Sequence, residues 1–228
     1  MIVTRSVVIL GGASGVIVAE ALYDLSQAGC GVECGGYLND ALPTVSSIGD
    51  QKVLGPFEAW SDLPAETFFI SVLHKAKEMP QRMDRIERLG IPDSRWAIVR
   101  HTAATVARDA QIGPGSYIGP NAVVMPGMVI GRHVALRPGC SVSLDNALGD
   151  FVFAGPNGTL NGNCRVGAGA HNATNAAIRE ETEIGELSVV GMGSIVLSDV
   201  PARSMVAGNP ARVIGRYDGA GMWAPVDG

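Results

Sequence analysis

The sequence predicts an α/β, nucleotide-binding-like N-terminal domain followed by an all-β left-handed parallel β-helix. Two observations lead to this fold class. An aliphatic residue recurs at every sixth position through the second half of the chain, and an apolar segment near the start ends in a glycine-rich turn. We assign residues 1–100 to the first domain, 101–214 to the β-helix and 215–228 to a C-terminal tail.

The six-residue repeat is the stronger of the two observations. In steps of six from Val106, fourteen of sixteen positions are Val, Ile or Leu, and the exceptions are Ala154 and Asn172. An α-helix repeats its apolar face at about 3.6 residues and does not account for this period. Short strands that each turn one aliphatic side chain inward do account for it. Three such strands make one triangular coil, and about five coils stack by parallel pairing.

Composition narrows the class of protein. The 30 glycines and the 5% of aromatic residues suit a fold with many tight turns. The net charge of -5, without any basic block, argues against nucleic acid as a partner. No apolar run is long enough to span a bilayer, and the apolar start of the chain resembles a strand and turn more than a signal peptide. We therefore expect a cytoplasmic protein without a membrane partner.

The four cysteines are too few and too scattered for a disulfide framework. Cys30 and Cys34 have the spacing of two metal ligands, but a second pair is missing from the sequence. We expect ordinary thiols at these positions and no metal.

The N-terminal segment has the pattern of half a nucleotide-binding fold. A strand at 7–10 leads into GGASG at 11–15, a helix follows at about 16–28, and a second strand spans 31–38. A glycine turn lets the backbone approach a ligand, and a helix N-terminus offers free N–H groups to an anion. The candidate substrate-binding residues are therefore Gly11, Gly12, Ser14, Gly15, Asn39 and Asp40. A plain tight turn and a loop cap remain the alternatives, because GGASG is not a complete GxGxxG motif.

Further elements are expected as a strand at 68–73, an amphipathic helix at 75–89 and a last strand at 95–100. His101 marks the junction between the two domains, and we expect it to form structural hydrogen bonds rather than to catalyse a reaction.

The two halves together resemble the bacterial nucleotide-sugar N-acetyltransferases and sialic acid O-acetyltransferases, which are hexapeptide-repeat acyltransferases. The resemblance rests on the hexads and on short motifs across the chain. These are VVILGGASG at 7–15, GYLND at 36–40, VLG at 53–55, HTA at 101–103 and VAGNPAR at 206–212. The last motif resembles the segment that closes the β-helix in many hexapeptide acyltransferases, near the adenine of coenzyme A.

The resemblance implies a function and an assembly. In this family the N-terminal domain holds a nucleotide-sugar, and the β-helices form a homotrimer with acetyl-CoA in the groove between neighbours. A His paired with an acidic residue removes a proton from the attacking amine or hydroxyl, and a backbone N–H stabilises the oxyanion. The residues implied for acyl-CoA binding are Gly162, Gly191, Asn209 and Pro210.

The sequence departs from the family at the catalytic base. Leu144 stands where the family has its His, although the acidic partner position is Asp145 and the oxyanion glycine is matched by Gly162. Phe153 replaces a second His that some members carry. His171 lies 18 residues after Phe153, so we expect it one coil further along the same column, where it is a candidate relocated base. The candidate catalytic residues are His171, Asp145 and Gly162.

Two other functions stay open at this point. A catalytically degenerate homologue that binds a ligand or a partner enzyme is favoured by Leu144. A zinc enzyme like the γ-class carbonic anhydrases shares the β-helix, but the four histidines of this chain lack the close pair that such a site uses. They are His74, His101, His133 and His171.

Overall fold

The N-terminal domain is built on a five-stranded sheet. The computed structural model describes residues 4–217 and 223–225. The strands are β1 (Arg5–Leu10), β2 (Val32–Leu38), β3 (Ser47–Ile48), β4 (Gln51–Gly55) and β5 (Phe68–Ser71). Their order is β3-β4-β2-β1-β5, and all neighbours are parallel except β3 and β4. The central strand β1 is apolar and buried from Val7 to Leu10, as expected for a parallel strand that is covered on both faces.

Two α-helices accompany this sheet. Helix α1 (Val16–Gln27) follows the glycine turn directly and packs its buried face, which includes Val18 and Leu22, in one cluster with the strands. Helix α2 (Met79–Arg88) contributes Met79 and Ile86 to a second cluster. The sequence-predicted helix at 16–28 and strand at 31–38 are thus confirmed to within one residue. None of the helices in the described ranges combines the length and apolarity that a membrane crossing requires.

The predicted strand at 95–100 is wrong in its extent. The chain instead forms a 3-10 turn at Asp93–Arg95, because Pro92 fixes a backbone angle that starts a turn. Trp96 makes a single bridge to Phe69 of β5. The two-residue strand β6 (Val99–Arg100) then pairs with a strand of the second domain, so the segment links the two sheets.

The second domain is a left-handed parallel β-helix of two-residue strands spaced six residues apart. The strands are β7 (Thr105–Val106), β8 (Gln111–Ile112), β9 (Tyr117–Ile118), β10 (Val123–Val124), β11 (Val129–Ile130), β12 (Ala135–Leu136), β13 (Ser141–Val142), β14 (Ala147–Leu148), β15 (Phe153–Ala154), β16 (Thr159–Leu160), β17 (Arg165–Val166), β18 (His171–Asn172), β19 (Ala177–Ile178), β20 (Glu183–Ile184), β21 (Val189–Val190) and β22 (Ile195–Val196).

These strands form three flat faces. Face I contains β6, β9, β12, β15, β18 and β21; face II contains β7, β10, β13, β16, β19 and β22; and face III contains β8, β11, β14, β17 and β20. The second residue of most strands points inward, and these side chains form one continuous aliphatic core. Each strand therefore contributes one core residue, and the core exists only because the coils stack.

A hairpin closes the β-helix. Strand β23 (Ser204–Gly208) extends face I in parallel, and β24 (Ala211–Tyr217) returns antiparallel to it through a cis Asn209–Pro210 bond. Of the tail expected at 215–228, positions 215–217 continue β24 and β25 (Trp223–Pro225) pairs with them. Positions 218–222 and 226–228 lie outside the described residues.

The two domains share buried surface. Tyr117 of β9 belongs to the same apolar cluster as α1 and β1, and Phe151 packs with Trp96 and Met79. The N-terminal domain therefore packs directly against the β-helix. We call the interface between the two domains the seam.

Candidate functional site

An open cleft of about 560 Å³ lies beside the glycine turn. Gly11, Gly12, Asn39 and Asp40 line it, so four of the six predicted substrate-binding residues are brought together. Asn39 joins the two loops, because its Nδ2 donates to the carbonyl of Gly11 at 2.8 Å while its Oδ1 accepts from the N–H of Ala41 at 2.8 Å. The loops that would hold a nucleotide are thus fixed by one amide side chain.

The carboxylate of Asp40 is held by protein partners. One oxygen accepts from the N–H of Phe57 at 2.8 Å, and the other is 2.8 Å from the guanidinium of Arg85. Arg85 also pairs with Glu58 at 2.6 Å, and this pairing lowers the pKa of Glu58. Any ligand hydroxyl that contacts Asp40 would share it with Arg85.

The glycines of the turn differ in their roles. The N–H of Gly11 donates to Leu38 and that of Gly15 to Gly12, whereas the N–H of Gly12 has no acceptor within residues 4–217 and 223–225. Gly15 is buried, and a side chain there would come within 2.9 Å of both Tyr37 and Ile9. Among these glycines, Gly12 alone has both a place in the cleft and a free N–H, and Gly15 is needed for packing of the turn on the sheet.

Ser14 lies on the other side of the turn, in a cavity of about 140 Å³ at the seam between the domains, which we call the junction cavity. The side chain of Arg137 enters this cavity, with Cζ 5.9 Å from the ring centroids of both Tyr117 and Phe153. The residues that line it are Ser14, Val18, Ser71, Val72, His74, Tyr117, Ala135, Arg137 and Phe153.

Sequence reasoning overlooked Arg137, although a signal was present. Glycine follows the inward residue at positions 119 and 155, one coil before and one coil after, while the equivalent position 137 is arginine. A long cationic side chain at a position that otherwise holds glycine indicates a role outside the turn itself.

His171 lies in face I directly beside Phe153, the strand neighbour from the preceding coil. Its ring stacks on that of Phe153 with centroids 4.2 Å apart. Burial lowers the pKa of His171 to about 4, so the ring is neutral at pH 7, and its Nδ1 is buried with no partner among the described residues. A neutral imidazole can accept a proton, but this low pKa makes it a weak base in the free protein.

Leu144, Asp145 and Gly162 lie together at the corner between faces II and III. The Leu144 side chain is 45% exposed, and Asp145 follows it in a left-handed turn with φ 55°. Gly162 is one coil further on, where a Cβ added to it would lie 3.4 Å from the carbonyl oxygen of Leu144, and its N–H has no acceptor in the described part of the chain. An unpaired N–H at this corner is what an oxyanion donor requires.

The predicted catalytic residues do not form one cluster within a chain. His171 is on face I, whereas Asp145 and Gly162 are at the corner between the other two faces, which is the opposite side of a triangular coil. Gly191 is on the corner between faces I and II beneath the closing hairpin, where a Cβ added to it would lie 3.1 Å from the Cβ of Ala207. Within one chain, these positions therefore do not form a single site.

Among residues 4–217 and 223–225, no three His, Cys, Asp or Glu side chains are close enough together to bind a metal ion. His101 is engaged structurally, with Nε2 2.9 Å from Asp24 and Nδ1 accepting from the N–H of Ala103 at 3.0 Å. The four cysteines are free thiols.

Comparisons with known proteins agree with this architecture. Residues 109–143 match the model of the bacterial transferase hexapeptide family, which comprises six repeats. The acetyltransferase domain of PglB from Neisseria gonorrhoeae, solved in complex with acetyl coenzyme A, is 28% identical with a TM-score of 0.79. That match covers 92% of this chain and 99% of the other.

Two further matches are more limited. A variant of perosamine N-acetyltransferase from Caulobacter crescentus, in complex with CoA and GDP-perosamine, shares the fold at 23% identity and a TM-score of 0.77. That match covers 91% of this chain and 96% of the other. Serine acetyltransferase 4 of Arabidopsis thaliana is 34% identical over 122 residues, which are 52% of this chain and 29% of that protein. The chain thus spans less than a third of the length of such curated relatives. The resemblance drawn from the sequence is confirmed: the chain contains hexapeptide repeats of the bacterial transferase type and shares its two-domain architecture with the acetyltransferase domain of PglB.

Proposed function

We propose that this protein is an acyl-CoA-dependent acyltransferase that transfers an acetyl group to a nucleotide-linked amino sugar or a related small molecule. The observation that carries the proposal is the similarity to an acetyltransferase domain in complex with acetyl-CoA, which extends over both domains of this chain. The fold alone would not suffice, because one fold hosts many functions.

The nucleotide-sugar is placed in the cleft beside the glycine turn. The free N–H of Gly12 and the N-terminus of the following helix favour a phosphate there, and Asn39 and Asp40 hold the facing loop. The acyl-CoA is placed along the β-helix, from Asn209 and Pro210 at the closing hairpin, past Gly191, to a thioester near Gly162.

The reaction needs few groups from the protein. The acceptor nitrogen or oxygen attacks the thioester carbonyl, a C–N or C–O bond forms, and the C–S bond breaks. The N–H of Gly162 stabilises the oxyanion, and the proton passes from the acceptor to a base and then to the CoA sulfur. Leu144 cannot be this base, so the candidates are His171 and, more weakly, Asp145.

The site requires a homotrimer with face II at its centre. The outward residues of this face are uncharged from the first coil to the last, whereas face III carries outward Arg165 and Glu183. Face II also lies between the corner of Gly191 and the corner of Gly162. Packing three copies through face II therefore sets one chain's Gly162 beside a neighbour's Gly191. Its outward residues are Thr105, Val123, Ser141, Thr159, Ala177 and Ile195.

The test compares three proteins: the natural chain, His171→Ala and Leu144→His. Each is assayed for acetyl transfer from acetyl-CoA to a panel of nucleotide-linked amino sugars, after thermal-shift screening for the nucleotide-sugar that binds. Loss of about 10²-fold or more in His171→Ala supports the relocated base. Absence of binding to acetyl-CoA and to every nucleotide-sugar would contradict the acyltransferase proposal.

A second candidate function is a degenerate transferase that binds its ligands, or a partner enzyme, without catalysis. The exposed Leu144 at the position of the family's base is the observation that favours it. In that case the natural chain binds acetyl-CoA but is inert, and Leu144→His creates activity because it restores a base beside the retained Asp145 and Gly162.

A further inference from the structure

We propose that the junction cavity binds a carboxylate group of the acyl acceptor, with Arg137 and Tyr117 as the donors. The inference rests on the proposed function in one respect only, namely that the ligand of this cavity is the acceptor. It adds a substrate class: an amino sugar or related molecule that carries an acid group close to a hydroxyl or amine.

The guanidinium of Arg137 is the central observation. It is half-buried in the cavity, and in the described ranges it makes no hydrogen bond and no ion pair. Its contacts are the rings of Tyr117 and Phe153, which hold it in position as cation–π partners without neutralising its charge. Arginine remains charged at any physiological pH, so this is a fixed cation without a counter-ion.

Tyr117 supplies a second, independent observation. Its side chain is only 2% exposed and it lines the same cavity, yet its hydroxyl has no hydrogen-bond partner among the described residues. Buried hydroxyl groups nearly always have partners, so an unpartnered hydroxyl on the ring that contacts the Arg137 guanidinium favours a ligand acceptor. Burial raises the pKa of Tyr117 to about 12, which keeps the hydroxyl protonated and able to donate.

His74 gives the cavity an imidazole nitrogen that can accept a hydrogen bond. Its Nε2 lies 2.7 Å from the carbonyl oxygen of His133, an atom that can only accept, so Nε2 carries the hydrogen and Nδ1 does not. Burial lowers the pKa of His74 to about 4, so the ring stays neutral. A neutral Nδ1 accepts a hydrogen bond from a ligand N–H or O–H. The cavity therefore matches a carboxylate with a hydroxyl or amine beside it.

A carboxylate fits this cavity better than a phosphate. The lining has one cation and no acidic side chain, and half of its other residues are apolar, so it balances one negative charge rather than two. A planar guanidinium also binds a planar carboxylate through two parallel hydrogen bonds. The cavity is next to the candidate base, because Phe153 contacts Arg137, His74 and His171 alike.

The experiment measures thermal stabilisation by simple sugars, without acetyl-CoA. D-Glucuronate and D-glucose form a matched pair that differs by the acid group, and inorganic phosphate is added at equal ionic strength as a third probe. For a chain of this size, D-glucuronate at about ten times its Kd is expected to raise Tm by roughly 3–6 °C, with no rise for D-glucose. Arg137→Gln should abolish the rise. Arg137→Lys should reduce it, because an ammonium group lacks the planar fork.

Arg88→Gln is the control, because Arg88 is exposed on α2 and, within the described residues, its ion pair is with Asp84. It should keep the full rise in Tm. Equal stabilisation by D-glucose, a rise that persists in Arg137→Gln, a rise with phosphate alone, or no rise with any probe would each overturn the proposal. Acetyl transfer plays no part in the readout, so failure of the acyltransferase proposal and failure of this one are seen separately.

Discussion

Among single residues, His133 is the most unusual buried group. It is fully buried between Trp96 and Phe151, with ring centroids 4.5 and 4.6 Å away, and neither ring nitrogen has a partner in the described residues. Burial lowers the pKa of His133 to about 3. In the unfolded chain the imidazole of His133 binds a proton near pH 6.5, whereas in the folded protein it stays neutral at that pH. The free energy of unfolding therefore decreases as the pH falls below about 6.5.

We therefore expect His133→Phe to remove part of the acid sensitivity. In the natural chain this one group costs about 2 kcal/mol of stability at pH 5 relative to pH 7.5, a loss that grows until the folded pKa is reached. Phenylalanine fits the backbone, because Phe151 occupies the equivalent turn one coil later with φ 58°. Urea unfolding at the two pH values measures the difference.

Phe151→Leu is the matched control for this experiment. Leucine is smaller than phenylalanine and the substitution changes no titratable group. The free energy of unfolding should therefore fall by a similar amount at both pH values. An unchanged pH dependence in His133→Phe would show that other groups dominate acid unfolding.

The glycine turn gives a second prediction at this scale. A side chain at Gly12 would meet only Nδ2 of Asn39, at an ordinary 3.6 Å, whereas one at Gly15 would approach Tyr37 to 2.7 Å. Gly12→Val should therefore abolish nucleotide-sugar binding with normal stability. Gly15→Ala should instead lower the unfolding midpoint, because the turn must move away from the sheet.

Calorimetric titration of the ligand and urea unfolding separate the two effects. If Gly12→Val binds the nucleotide-sugar as well as the natural chain does, the cleft beside Asn39 is not the nucleotide site.

At the level of elements, Asn172 is the polar exception in the stacked core. It lies in strand β18 between Ala154 and Val190, it is buried, and its Oδ1 has no partner in the described chain. Its Nδ2 reaches the carbonyl of Ala176 only at 3.5 Å, which is a weak hydrogen bond. The small Ala154 on the preceding coil leaves room for it.

We expect Asn172→Leu to stabilise the β-helix by about 1 kcal/mol, because an unsatisfied amide is replaced by an apolar group of similar size. Asn172→Asp is the control and should destabilise, because it places a carboxylate between the core residues Ala154 and Val190. The midpoint of urea unfolding is the measurement. Destabilisation by both changes would mean that the amide contributes more than its contacts indicate.

The turns between faces III and I form a column that carries the N-terminal domain. Its members at 18-residue spacing are Gly115, His133, Phe151, Gly169 and Leu187, and all five have left-handed backbone angles. Bulky side chains are uncommon in this conformation. In this protein the left-handed conformation of Phe151 and Leu187 is stabilised because both side chains pack in one cluster with Trp96 and Met79.

At the scale of the whole molecule, the sequence predicts those features that residues close together in the chain determine. It does not predict features that form where distant segments meet. Each inward aliphatic of the hexads sets its own strand, so the β-helix follows directly from the repeat. The junction cavity does not, because His74, Tyr117 and Arg137 come from three separate segments that meet only when the domains dock. The place of Asp40 after a strand predicts a candidate substrate-binding residue, but its pairing with Arg85, 45 residues away, depends on the packing of α2.

The proposed acyl-transfer site is complete only in the proposed homotrimer, because it combines residues of two neighbouring chains. Ala177 is the outward residue of β19 on face II, and Ala147 is the outward residue of β14 on face III. If face II is the trimer interface, Ala177→Arg places three cations around one axis, where burial without a counter-ion is costly. The mass measured by light scattering should then fall below three times the 23.6 kDa chain mass. Ala147→Arg is the same substitution on the other face and should remain trimeric. A monomer for the natural chain, or dissociation by Ala147→Arg but not by Ala177→Arg, would contradict this interface and the site shared across it.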